Sequence, residues 1–170
     1  MVYKFKEKGF KRNAGALLRS FLRMDWKEVK IQYDVLMGKL KDPFDSFEWL
    51  DALHLYCRVK PIYFFLVAAK TGSYDKNCST ESDAFQKLVE YCSGHYLLGL
   101  HPSWQSGDRH ELLKEEKEWL EVVADRDIIK SRQHYIRLRL PESYRRLEKA
   151  GIKEDYSMGY GAVNGFRASV

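Results

Sequence analysis

The sequence has little that would tie the chain to a membrane or to the cell exterior. Its longest apolar run, Ile62 to Ala69, is too short to span a bilayer. Its start, MVYKFKEKGFKRN, carries charges every second or third residue and has no apolar core of the kind found in signal peptides. The three cysteines are odd in number and show no Cys-x-x-Cys spacing, which argues against a disulfide framework or a cysteine-based zinc site. These absences predict a cytoplasmic protein without a membrane span.

Several catalytic motifs are also missing. The chain has no glycine-rich phosphate loop, no nucleophile elbow and no zinc-protease helix. The glycines of GYGAVNG are too irregular for phosphate binding. Nucleotide-dependent chemistry is therefore not expected.

The composition that is present is typical of a globular protein. The chain has 170 residues, of which 45% are hydrophobic and 14% aromatic. Its net charge of +5 is concentrated at the start, where the first 30 residues hold nine Lys or Arg against three acidic residues. A basic segment can bind nucleic acid or another anion, but a solvated face is the more common explanation, and no basic stripe extends it. Nucleic acid is not an expected partner.

Hydrophobic periodicity predicts a helical start followed by alternating strands and helices. Residues 11–41 show the spacing of two helices, broken near Met24-Asp25. Residues 1–41 form a basic, helical amino-terminal segment of one domain that covers residues 1–170. Asp45 and Glu48 have capping-box spacing and predict a helix that buries Trp49 and its neighbours. Four later segments have the pattern of buried strands: KPIYFFLVAAK, HYLLGLH, DIIKSRQHY and IKEDYSMGY.

Helical segments separate these strands, so the order predicts a parallel sheet, open or closed into a barrel. Ligands of such sheets bind beyond the carboxyl ends of the strands. Four loops then share one face, and their ionisable or hydrogen-bonding residues are Tyr74, Asp75, His101, Ser103, Arg132, His134, Tyr160 and Arg167.

Two imidazoles from adjacent strand ends, those of His101 and His134, could bind a divalent metal. A carboxylate and a water would complete its set of ligands. Alternatively, each is a hydrogen-bonded loop residue. Arg132 and Arg167 could orient a carboxylate or stabilise an oxyanion, or could be solvated. Asp75 is an available carboxylate whose alternative role is to cap a turn.

Over nearly its whole length the chain resembles one branch of the polysaccharide deacetylases, carbohydrate esterases found around bacterial surface-polysaccharide loci. The segments that carry the resemblance are KDPFDSFEWL, KPIYFFLVA, SYDKN, GLHPSWQS, SRQHYIRLRLPESYRRLEKAGIKEDYSMGY and GFRAS. The resemblance implies a distorted (β/α) barrel and a divalent metal, often zinc, held by one Asp and two His. The metal activates water against an acetyl group, with a second Asp as base.

The family places an Asp-x-Asp strand before the part that matches VYKFKEKGF, and further strands with a late histidine after GFRAS. The resemblance therefore implies an incomplete (β/α) barrel, the central portion of a deacetylase domain. A buried strand such as PIYFFLV needs neighbours on both edges, so we expect a homo-oligomer that pairs through exposed sheet edges.

Carried over to this sequence, the HPS motif makes His101 a metal ligand, and the RQH segment implies His134 as the other. The better-known branches draw both histidines from one His-x-x-x-His-Pro motif, whereas Leu97 stands four residues before His101 here. The remaining site residues are expected to contact an acetylated carbohydrate: Arg132, Arg167 and Asp75 as catalytic residues, and Tyr74, Ser103, Trp104 and Tyr160 as substrate contacts. The alternative is a non-catalytic carbohydrate- or anion-binding module that self-associates.

Overall fold

The structure is a computed structural model, and the residues that it describes are 5, 10–70, 72–160 and 165. The chain divides into two compact units, residues 1–59 and residues 60–170. This division falls within the single domain predicted from the sequence.

The first unit contains the helices α1 (Phe10–Leu22), α2 (Trp26–Leu36) and α3 (Phe47–Cys57). The prediction of two helices broken near Met24-Asp25 is confirmed. Met24 has a left-handed φ of 55°, which ends α1. The side chain of Asp25 accepts a hydrogen bond from the amide of Glu28 at 3.1 Å and caps α2.

The predicted start and burial of α3 were wrong. Ser46, and not Asp45, occupies the N-cap position. Glu48 does not complete a capping box, because its carboxylate pairs with Lys41 at 3.0 Å. None of the residues of α3 is buried, and Trp49 is 64% exposed. Periodicity identifies which residues share a helix face, but it does not identify a surface that covers that face.

The second unit is α/β, as predicted. It contains the strands β1 (Ile62–Leu66), β2 (Leu97–His101), β3 (Lys130–Ser131) and β4 (Glu154–Asp155) and the helices α4 (Asp83–His95), α5 (His110–Ala124) and α6 (Glu142–Lys149). The strands form one four-stranded sheet in the order β1-β2-β3-β4, and each pair is parallel. The alternation read from the sequence therefore gives the predicted parallel sheet.

The core of this unit lies between the sheet and the helices α4 and α5. Ser82 caps α4 by accepting a hydrogen bond from the amide of Phe85 at 3.2 Å. The buried side chains of α4 and β2 are apolar: Phe85, Leu88, Val89, Cys92, Leu98 and Leu100. This burial fixes the position of β2 in the sheet, and therefore also the position of the loop that follows His101.

One glycine of β2 is required by the packing of the neighbouring strand. A Cβ atom built on Gly99 would lie 2.4 Å from the ring of Phe64, its register partner on β1. Because such a contact is far inside van der Waals distance, β1 and β2 pack with Phe64 over the bare backbone of Gly99. The register that follows pairs Leu66 with His101, so both strands end at the same level.

None of the helices in the described ranges combines the length and the apolarity needed to cross a bilayer. The three cysteines, Cys57, Cys78 and Cys92, are free thiols.

The outer sides of β1 and β4 have no neighbouring strand within the described ranges. Unpaired strand edges offer hydrogen-bonding groups to a second chain. We therefore expect the purified chain to self-associate, and light scattering across a protein concentration series should return a mass above the 20.0 kDa of one chain. A constant monomer mass at every concentration would contradict this prediction.

Candidate functional site

Three polar side chains meet at the carboxyl edge of the sheet. Asp75 lies in the loop after β1, His101 is the last residue of β2, and His134 opens a short 3-10 turn, His134–Ile136, that follows β3. They come from separate chain segments, and the parallel direction of the strands brings them together. The sequence-based prediction of a shared loop face is met by these three residues.

Asp75 holds His134 through a hydrogen bond of 3.0 Å between Oδ1 and the ring atom Nδ1. The same Oδ1 atom accepts the backbone amide of Trp104 at 2.8 Å. Asp75 is only 1% exposed. Because a carboxylate oxygen accepts hydrogen bonds, Nδ1 of His134 carries a proton, so the ring atom with a lone pair to offer a metal is Nε2.

His101 is oriented in the same way by a different acceptor. Its Nδ1 atom lies 2.5 Å from the backbone carbonyl oxygen of Arg132. A carbonyl can only accept, so this ring also has its proton on Nδ1 and its lone pair on Nε2. Burial lowers the pKa of His101 below its usual value, which favours the neutral ring that can bind a metal.

The two rings are close enough to act together. Their centroids are 4.7 Å apart, and their planes are inclined at 51°. Neither Nε2 atom has a hydrogen-bond partner in the part of the chain that the structure describes. Within that part no group of three or more His, Cys, Asp or Glu residues could hold a metal ion. The site thus supplies a pair of oriented imidazoles.

A cavity of about 420 Å³ opens beside His101, and its lining residues are Phe64, His101, Arg132, Gln133, Tyr135 and Ile136. Tyr135 is 62% exposed at its edge. Tyr135 and Ile136 have consecutive left-handed φ angles of 56° and 54°. Such a conformation is costly for large side chains, and strained backbone of this kind clusters at functional sites.

Aromatic side chains surround the histidine pair. The rings of Tyr74 and Trp104 stack with centroids 4.7 Å apart, and Tyr135 meets Tyr74 edge-on at 5.7 Å and His134 at 4.5 Å. The guanidinium group of Arg137 lies 4.2 Å from the Trp104 ring, and it also donates to the Trp104 carbonyl at 2.8 Å. Trp104 is therefore fixed by its own neighbours, while Tyr74 and Tyr135 present most of the exposed ring surface.

The other predicted site residues have different positions. Ser103 is buried, and its hydroxyl accepts a hydrogen bond from the amide of Ser106 at 3.1 Å. Arg132 lines the cavity, and its carbonyl orients His101. Tyr160 lies beyond β4 and is partly exposed. Arg167 lies outside the described residues.

Glu116 is not among the site residues predicted from the sequence. It lies among charged residues of α5, yet it is 3% exposed and its Oε2 atom accepts a hydrogen bond from the amide of Ser103 at 3.0 Å. Burial raises its pKa to about 7, against the opposing effect of hydrogen bonds from Ser103. Helical spacing could have indicated its burial, because the buried residues Leu113 and Leu120 lie three residues before it and four residues after it on the same helix face.

Fold and site together define an α/β protein with a parallel sheet and an oriented histidine pair at its carboxyl edge. Comparison of the chain with protein-family models, with curated proteins and with solved structures finds no match. The resemblance to polysaccharide deacetylases therefore stays a prediction that rests on its motifs.

Proposed function

We propose that this chain is a metal-dependent hydrolase of the polysaccharide deacetylase type that removes acetyl groups from a carbohydrate. The observation that carries the proposal is the orientation of His101 and His134, whose Nδ1 atoms are both engaged by oxygen acceptors. Metal-binding histidines typically donate the second ring N–H to a carboxylate or a carbonyl, which fixes the tautomer and the ring position. Both features are present at one edge of the sheet.

The strand order supports the finer assignment of the sheet to an incomplete (β/α) barrel. Each strand lies beside its neighbour in sequence, β1-β2-β3-β4. A barrel of the (β/α) type has this sequential order, whereas a doubly wound sheet reverses its order at a switch point. In such barrels the active site lies at the carboxyl ends of the strands, where the histidine pair is found.

A divalent metal, with zinc as the first choice, fits the donor set in part. The imidazoles of His101 and His134 would be its protein ligands, and zinc readily takes histidine nitrogen. Asp75 would act from behind His134, in the carboxylate-histidine-metal arrangement. When bound, the metal would supply Lewis-acid polarisation of an acyl carbonyl.

The chain's own residues would bind and orient the substrate. Arg132 lines the cavity next to His101, where its guanidinium could stabilise a developing negative oxygen. Tyr74 and Tyr135 offer exposed rings on which the apolar face of a sugar could pack. Asp75 keeps the proton of His134 on Nδ1 and so keeps Nε2 available.

A second candidate function is a non-catalytic carbohydrate- or anion-binding module. It is favoured by the donor count, because the described residues bring no third metal-ligating side chain to the two imidazoles. In that case the exposed rings of Tyr74 and Tyr135 and the cation of Arg132 would hold the ligand without chemistry. The two candidates differ in zinc content and in acetate release.

Zinc binding provides the decisive test. We expect the purified chain to bind about one equivalent of zinc, and the His101→Ala and His134→Ala variants each to bind it at least about 10-fold more weakly, because each removes one of two protein ligands. His95→Ala is a matched control, since the Nδ1 atom of His95 also contacts a carbonyl, that of Tyr91, at 2.7 Å on the exposed end of α4. Metal analysis and isothermal titration measure the result.

The same proteins should then be assayed for acetate release from acetylated oligosaccharides. Zinc affinity that is equal in the chain and in both histidine variants would contradict the proposed metal site. Oligosaccharide binding without zinc and without acetate release would identify the non-catalytic module.

A further inference from the structure

The loop between β2 and α5 is anchored by two buried carboxylates on consecutive amides. The amide of Ser103 donates to Glu116 Oε2 at 3.0 Å, and the amide of Trp104 donates to Asp75 Oδ1 at 2.8 Å. Glu116 belongs to α5, whereas Asp75 belongs to the loop after β1. Two separate elements thus hold adjacent peptide groups of one loop.

The loop is also closed on itself. The amide of Ser106 donates to Ser103 Oγ at 3.1 Å, and the hydroxyl of Ser106 donates to the Ser103 carbonyl at 2.9 Å. Pro102, between His101 and Ser103, is fully buried, and its ring fixes one backbone dihedral. Because the backbone between Ser103 and His101 has little conformational freedom, a displacement of Ser103 also displaces His101.

A carboxylate at position 116 is costly for the fold. Glu116 lies on the buried face of α5 between Leu113 and Leu120, and its Oε1 atom is buried without a hydrogen-bond partner among the described residues. Burial of a carboxyl group that is not fully hydrogen-bonded costs more than burial of an apolar side chain of similar volume. Leucine would satisfy the packing of α5, so packing does not explain the acid.

We propose that Glu116 is a positioning residue of the candidate site, which fixes the Ser103 amide and thereby sets the position of the His101 ring and of Trp104. The consequence of this positioning role for metal binding rests on the proposed function, whereas the effect of Glu116 on the loop does not. Asp75 fixes the partner histidine, so each imidazole has one buried carboxylate that controls its place: directly for His134, and through two residues of backbone for His101.

The test compares three variants of the full chain. Glu116→Leu keeps the volume and removes the acceptor, Glu116→Gln keeps an acceptor oxygen, and Glu115→Leu changes an exposed neighbour on the same helix. Amide hydrogen exchange at Ser103, followed by NMR, should be at least about 10-fold faster in Glu116→Leu than in the unaltered chain, because the hydrogen bond that protects it is lost. Glu116→Gln and Glu115→Leu should keep the slow exchange.

Zinc titration of the same variants gives the functional readout. We expect Glu116→Leu to bind zinc about 10-fold more weakly, and Glu116→Gln to restore the affinity, since loss of an outer-shell partner typically has an effect of this size. Unchanged Ser103 exchange in Glu116→Leu would overturn the proposal. So would zinc affinity that does not change while Ser103 exchange accelerates.

Two further outcomes are separable. An unaltered chain that binds no zinc would overturn the proposed function, while Ser103 exchange and the ring resonances of His101 would still decide the positioning role. If Glu116→Leu does not fold, amide exchange at Ser103 in the unaltered chain tests the proposal instead. Exchange as fast as that of an unprotected loop amide would overturn it.

Discussion

Asp75→Ala should lower the free energy of unfolding by about 3 kcal/mol, because it removes a buried carboxylate and leaves two partly buried donors without their acceptor. The donors are the Trp104 amide and Nδ1 of His134, which share the Oδ1 atom of a side chain that is 1% exposed. Removal of one member of a buried polar network costs more than the average surface substitution. Urea unfolding followed by far-UV circular dichroism measures the loss.

Two variants make this expectation specific. Asp75→Asn keeps the volume and an acceptor oxygen, so we expect a loss of about 1 kcal/mol, with His134 no longer held in one tautomer. Asp127→Ala removes an exposed carboxylate of the same unit and should change stability by less than about 0.5 kcal/mol. Equal stability of Asp75→Ala and Asp127→Ala would show that the Asp75 hydrogen bonds contribute nothing to the fold.

Glu116→Gln should remove a large part of the pH dependence of stability. The folded-state pKa of Glu116 is raised to about 7 from an ordinary value of 4.5. Between these two values the folded chain binds the proton and the unfolded chain releases it, so the contribution of this group is full below about pH 4.5 and is lost as the pH rises through about 7. The whole loss is on the order of 3 kcal/mol.

The measurement is the free energy of unfolding at several pH values across this window. Stability of the unaltered chain should decline with rising pH more steeply than that of Glu116→Gln, and the two curves should separate by roughly 3 kcal/mol in their total change. Glu115→Gln, at an exposed position on the same helix, should follow the unaltered chain. Parallel curves for Glu116→Gln and the unaltered chain would show that Glu116 titrates normally.

The sequence predicts β2 and α4 well, because both depend on burial. An apolar run ends at His101, and apolar residues recur at three- and four-residue spacing from Phe85 to Cys92. Both patterns follow directly from which side chains face the core. The HPS turn then places His101 at a strand end, so one of the two imidazoles can be located without any structure. These elements needed no information on distant partners.

The remainder of the site depends on contacts that no local pattern records. The predicted strand that ends near His134 is only two residues long, Lys130–Ser131, because the chain leaves the sheet for a turn in which Tyr135 and Ile136 have left-handed φ angles. Propensity disfavours this conformation for such residues, so tertiary contacts must select it. The carboxylate of Glu116 likewise has its acceptor role only once Ser103 is brought to it.

The Oδ1 atom of Asp75 connects two loops, because it accepts hydrogen bonds from both. The amide of Trp104 and the ring of His134 are tied to the same atom, although they follow different strands. A displacement of the Asp75 carboxylate therefore affects both groups. The indole next to Tyr74 is thereby linked to the imidazole that is proposed to bind metal, so a displacement of His134 is expected to alter the surroundings of Trp104, one of the four tryptophans of the chain.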